Sequence, residues 1–246
     1  MKNTLKSRIK QAAQASSVGH MRSRLFLSLM LIGPMGIGAT NAFSQTHSSV
    51  QVAPQVSYTQ ALADDTSGRH EQARQLFDAL SSTELKTVSA VPSAVNLVLL
   101  ERYADARKAF GVIASSAIPR DAAYAQVWQL WLTARTWQGE PEELRKQLKV
   151  QTRSLKGKDP VHQALIDLYA GQGRAEAVFT AINAMSIADA DRRDLRAESA
   201  FFAGGFAQYV VNDQAAALRL YQREYANANE SLERPLLERA IAELSR

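Results

Sequence analysis

The chain has no cysteine in 246 residues. That excludes disulfides, thiolate metal sites and cysteine nucleophiles. It also removes the residue on which a lipid anchor at a leader cleavage site would be built. Histidine is scarce, at four residues. None has a second candidate ligand four positions away, as a helical zinc pair requires. No GxSxG stretch occurs, so the usual nucleophile-elbow signal is missing. The paired glycines of "FAGGF" follow no strand pattern, which removes the ordinary phosphate cradle. Sustained alternation of apolar and polar residues is absent, which argues against half-buried strands. The reading is a protein without catalysis, metal or cofactor.

Acidic residues are absent from the first 42 positions, which hold Lys2, Lys6, Arg8, Lys10, Arg22 and Arg24. The stretch "LFLSLMLIGPMGIGA", residues 25–39, is apolar apart from Ser28, and small residues follow in "ATNAFSQ". A basic start, a short apolar run and a small-residue exit describe a secretory signal peptide over 1–42, cleaved after Ala42 or Ser44. The run is short and broken by Gly33, Pro34, Gly36 and Gly38, unlike a membrane span. Met21 opens a complete leader by itself and is an alternative start. The net charge of +5 belongs to this leader, because 43–246 carry 23 basic and 24 acidic residues, or −1. The basic character that would suggest nucleic acid therefore leaves with the leader. The expected product is periplasmic or secreted, and free of the membrane after cleavage.

Residues 43–55 read as a flexible lead-in, and 56–246 as one helical domain. Phe201, Gly205, Ala217 and Tyr221 set a spacing of large, small, small and large side chains that suits two closely crossing helices. Looser copies place Ala73, Ala106, Leu144 and Val178 at the position of Ala217, at intervals of 33, 38, 34 and 39. A repeat near 34 residues, built as a helical hairpin, is the tetratricopeptide (TPR) period. The expected pairs are 56–65 with 68–82, 90–100 with 102–115, 121–138 with 141–154, 160–171 with 174–185, and 193–211 with 213–228. A last helix at 231–245 would cover the open end. Gly205 and Ala217 should touch across the fifth hairpin. The fold class is thus all-α, a TPR-like right-handed solenoid of about five hairpins plus a C-terminal capping helix.

The stretch "RAESAFFAGGFAQYVVNDQAAALRLYQREY" resembles the last repeat of NlpI-type periplasmic TPR proteins, through Glu198, Phe201, Phe202, Ala203 and Gly204. "VWQLWLTART" and "LIDLYAGQGRAEAVF" are similar to that family's preceding hairpins, so the likeness covers about 120–240. It implies an adaptor that gathers other envelope proteins. Members of that family are typically lipid-anchored, and this chain lacks the cysteine for it.

On such an array, partners dock on the face lined by first helices. Gln126, Gln129, Thr133 and Thr136 form a polar stripe beside Trp137, and Gln163 and Asp167 continue it on the next repeat. These residues could hydrogen-bond the backbone of an extended peptide, with Trp137 anchoring a side chain. A plain wet helix face gives the same pattern. Phe202, Phe206 and Tyr209 read as core. His70 and His162 read as exposed, as do the basic clusters 145–149 and 192–196. The expected partner is another envelope protein or peptide. Alternatives are a homo-oligomer or a cell-wall hydrolase.

Overall fold

The computed structural model describes residues 53–229 and 231–246. The leader and most of the lead-in lie outside the described residues. Among those described there are eleven α-helices, one π-helical turn and no strand. They run α1 Pro54–Thr66, α2 His70–Leu80, α3 Lys86–Leu99, α4 Tyr103–Ala114, α5 Pro119–Arg135, α6 Pro141–Thr152, α7 Pro160–Tyr169, α8 Ala175–Ala184, α9 Asp189–Phe206, the π-turn Ala207–Val211, α10 Gln214–Tyr225 and α11 Arg234–Leu244. The all-α expectation holds, and each expected pair has a helical counterpart.

Proline sets five of the starts. Pro54, Pro119, Pro141, Pro160 and Pro235 all occupy the first turn of a helix, where the missing N–H costs nothing. Asp159 caps α7, accepting from the amides of Val161 and His162. Two starts shift. Asp121 falls inside the first turn of α5, because Pro119 opens the helix ahead of the expected start at 121. Pro92 lies inside α3, which begins at Lys86 instead of the expected 90. The turn Thr83–Leu85 launches that helix upstream, with the Thr83 hydroxyl accepting from the Leu85 amide.

One turn geometry recurs within the pairs. Gly68, Glu101, Gly171 and Asn212 end first helices with positive φ of 80°, 58°, 73° and 63°. After three of them the next amide reaches back five residues: Arg69 to Asp64 O, Arg102 to Leu97 O and Gln172 to Asp167 O, at 2.8, 2.8 and 2.9 Å. This is the Schellman closure, which satisfies the loose carbonyls of a helix end. Five residues beyond Gly68, Glu101 and Asn212 stand Ala73, Ala106 and Ala217, all fully buried. Each alanine amide bonds the carbonyl four residues back, that of Arg69, Arg102 or Asp213. The third pair differs. Trp137 turns under Gly139 and its Nε1–H donates to Glu140 O at 3.1 Å.

The core divides in two. A small cluster of Ala61, Ala73, Phe77 and Leu80 belongs to α1 and α2. A larger one runs from α3 to α11 and centres on stacked aromatics. Phe110 lies flat on Trp128 at 4.8 Å, and Trp128 meets Phe201 and Phe202 at 5.2 Å each. Trp131 packs on Phe201 at 5.1 Å and Tyr209 at 5.8 Å. These contacts join α5 directly to α9, past the fourth pair. Two adjacent glycines allow it. A Cβ on Gly204 would collide with the Tyr221 ring of α10, and one on Gly205 with the Trp131 indole of α5. The residue that lets helices approach across the fifth hairpin is therefore Gly204. Gly205 serves the junction with the third pair, which corrects the expected contact.

A polar junction joins the two clusters. Asn96 is fully buried. Its amide nitrogen donates to Asp65 Oδ1 at 2.7 Å and to His70 O at 2.9 Å. Arg74 adds bonds to Ser93 O and Oγ at 2.9 and 2.8 Å. His70 is thus half-buried against Asp65 rather than free. At the other end α11 packs on α10 and reaches α1.

Candidate functional site

Gln129, Thr133 and Thr136 line one face of α5, as their spacing demands. That face meets α4, with Thr136 still exposed at the end of the helix. Gln129 Nε2 donates to Arg107 O at 2.7 Å, while the Arg107 guanidinium donates to the hydroxyls of Thr133 and Thr136 at 3.1 and 2.9 Å. Gln151 of α6 adds a bond to Thr133, which is 6% exposed. Both threonine hydroxyls also donate back to their own helix, to Gln129 O and Leu132 O. Burial holds the Arg107 guanidinium below the usual arginine range. The stripe is therefore a seam between helical pairs, in which the Gln129 amide nitrogen and both threonine hydroxyls are already bonded. Gln126 sits half-buried on the same helix. Trp137 is packed on its own turn. On α7, Gln163 accepts from the Gly157 amide and donates to Asp167, each at 2.8 Å, so the pair closes a local loop. Arg107, directly after the buried Ala106, was the missing signal: a charged side chain one step past a core position points into the seam with the next pair.

His162 was expected on the surface and is 5% exposed. Its Nδ1 lies 2.9 Å from Asp159 Oδ2, and its Nε2 3.7 Å from Glu198 Oε1. Burial opposes its charge, but bonds to Asp159 and Glu198 prevail and raise its pKa to about 9. The His162 ring and the amides of His162 and Val161 overcome the burial of Asp159 and hold it at about 2. Beyond Glu198 is Glu233, 3% exposed, bonded to the hydroxyls of Tyr124 and Ser231. Burial and the nearby charges of Glu198 and Asp194 push Glu233 up to about 7. This chain of groups ties the start of α11 to α5, α7 and α9. The basic cluster at 192–196 is engaged too. Arg192 donates to the carbonyls of Ile182 in the last turn of α8 and of Met185 and Ile187 after it, and Arg196 pairs with buried Glu224 at 2.6 Å. The cluster at 145–149 does face solvent, in exposed pairs with Glu142 and Glu143.

Two depressions stand out among the described residues. The first is a small crevice of about 20 Å3 between α4, α5, the π-turn and α11. Tyr103, Trp131, Arg135, Tyr209, Arg239 and Glu243 line it. The Arg135 guanidinium lies 5.1 Å from the Tyr103 ring centre and 5.3 Å from that of Tyr209, a cation–π contact with each ring. Burial pushes the Tyr209 hydroxyl up to about 12 and raises that of Tyr103. Arg239 is committed to Leu99 O and to Glu101 at 3.6 Å. The second is an open groove of about 470 Å3 along α10 and α11, walled by Gln222, Tyr225, Glu238, Ile241, Ala242 and Ser245.

Among the described residues no group of three or more His, Asp or Glu is placed to hold a metal ion, and no helix is long and apolar enough to cross a membrane. Two arginines, Arg135 and Arg239, and one acid, Glu243, line the crevice, while the Trp131 indole N–H is enclosed against Gly205. Neither a protein-family model nor a curated protein matches this chain.

Proposed function

We propose that the chain is an exported TPR-like solenoid that binds another protein of the bacterial envelope and performs no chemistry. The observation that carries this is the repeated turn. A left-handed residue, then a fully buried alanine five positions on, recurs in the first, second and fifth pairs. Such recurrence of one unit is the signature of repeat proteins, whose common work is recognition on an extended surface. The weak likeness to NlpI-type adaptors points the same way. On α5 the Arg107 guanidinium already bonds Thr133 and Thr136 of the polar stripe. Affinity capture from envelope extract, with the mature chain as bait, tests the reading: a specific retained protein supports it, and none overturns it. Turnover of peptidoglycan fragments would favour the hydrolase alternative. N-terminal sequencing of the exported protein should begin after Ala42 or Ser44.

Self-association is a second reading, supported by the groove of Tyr225, Ile241 and Ala242 at the C-terminal end. Light scattering that shows only monomer at micromolar concentration rejects it.

A further inference from the structure

Cations gather in one stretch of the chain. Residues 144–158, "LRKQLKVQTRSLKGK", hold six basic residues and no acid. The rest of 43–246 holds 17 basic residues against 24 acidic, or −7. One short stretch thus opposes the charge of the whole remainder. Its helical part faces outward. Leu144, Leu148 and Thr152, four apart, are the buried residues of α6, which leaves Lys146, Lys149 and Val150 exposed on the opposite side and Arg153 exposed at the helix end. Lys156 and Lys158 are exposed in the turn that leads to α7. Arg145 and Lys146 are paired with Glu142 and Glu143. Lys149, Arg153, Lys156 and Lys158 meet no carboxylate among the described residues. Asp159, the next acid along the chain, is taken by His162 and by the cap of α7.

We infer that this face of α6 and the turn after it rest on an anionic bilayer surface. Charge complementarity makes the occupant anionic, and the make-up of the face says which kind. No aromatic residue lies in 144–158. Nothing there can stack on bases, as binding of single-stranded nucleic acid requires, and nothing can anchor in a partner protein's pocket. Long, flexible cations suit a fluid plane of headgroups, over which they spread without fixed partners. Val150 stands among them 53% exposed. An apolar side chain there gains burial at the headgroup boundary that water denies it. The −7 on the remainder is repelled by the same surface, which selects this one orientation. The expected freedom from the membrane then holds for anchoring and not for surface contact. The inference goes beyond the adaptor reading and survives its failure, since capture of an envelope protein is read separately.

The test uses the processed chain, recovered after export so that the basic leader is gone. It is sedimented with vesicles of one part phosphatidylglycerol to two parts phosphatidylcholine. Binding should be at least about tenfold tighter than to pure phosphatidylcholine, and molar salt should release the chain by screening. Each cation near an anionic surface contributes about fivefold, so Lys149→Gln with Lys156→Gln should weaken binding by about 25-fold. Lys86→Gln with Lys108→Gln, an equal loss of charge at exposed positions of α3 and α4, should change it by less than about twofold. Val150→Ser should weaken it by about threefold. Equal binding to both kinds of vesicle, or none to either, overturns the inference. So do equal losses in the two double variants, which would mean that net charge alone acts, and a Val150→Ser chain that binds undiminished. Oligoglutamate at the same anion concentration should leave the chain on the vesicles; release by it overturns the bilayer as occupant in favour of an acidic peptide.

Discussion

The first helical pair and the body from α3 to α11 are held by different physics. In α1 and α2 the fully enclosed apolar residues are few: Ala61, Ala73, Phe77 and Leu80. Their link to α3 runs through Asp65, His70, Arg74 and Asn96. The body is joined by rings, with Trp128 touching Phe110, Tyr124, Trp131, Phe201 and Phe202. Apolar burial has no direction and supplies most of the stability. Buried hydrogen bonds contribute little net but are costly to leave half-made. The polar junction therefore fixes where the first pair sits, and the aromatic block fixes whether the body folds.

The largest effect should come from the block. Trp128→Ala removes a fully buried ring shared by α4, α5 and α9, and should cost about 3–5 kcal/mol. Chemical denaturation would show the body melting early. Phe77→Ala should instead loosen α1 and α2 while the tryptophan emission of α5 stays native. If both variants unfold everything together, the division is false. Next comes Asn96→Leu, which takes the Asn96 donor away from Asp65 Oδ1 and His70 O and leaves Asp65 Oδ1 to the His70 ring alone. A loss of about 2–3 kcal/mol is expected, confined to the first pair, and read by amide exchange. Gly204→Ala should cost about 1–3 kcal/mol by pressing on the Tyr221 ring, which measured midpoints in urea would show.

The smallest effect is a pH dependence. Glu233 has its pKa raised from 4.5 to about 7, so the fold favours its neutral form. That contribution is complete below pH 4.5 and is lost as pH rises through 7. Glu233→Gln should then be more heat-stable than wild type at pH 8, by a few degrees, and equal to it at pH 4.5. His162 loses its own contribution as pH rises toward 9, but it does so in both proteins. Identical profiles would mean that Glu233 is not enclosed against Glu198 and Asp194.

The pairs were legible because period and punctuation are local. Ala73, Ala106 and Ala217 mark crossings that are buried in fact, and first-turn prolines mark starts. What stayed hidden depends on elements distant in sequence. Nothing near Gly205 announces Trp131, 74 positions away. The polar stripe on α5 has the spacing of a wet face, and only Arg107 on α4 makes it a seam. His162 looks like any polar residue after a proline until α9 brings Glu198 to its far side. The crevice is less legible still, since Tyr103, Arg135 and Tyr209 come from three elements and share no motif.

The account depends most on the first pair being a separately held unit fastened to one aromatic body. Native-state hydrogen exchange across the described helices tests this directly. Amides of α1 and α2 should open at markedly lower free energy than those of α5 and α9, and Asn96→Leu should widen the gap. Equal protection throughout, falling in step when Asn96 is replaced, would contradict it.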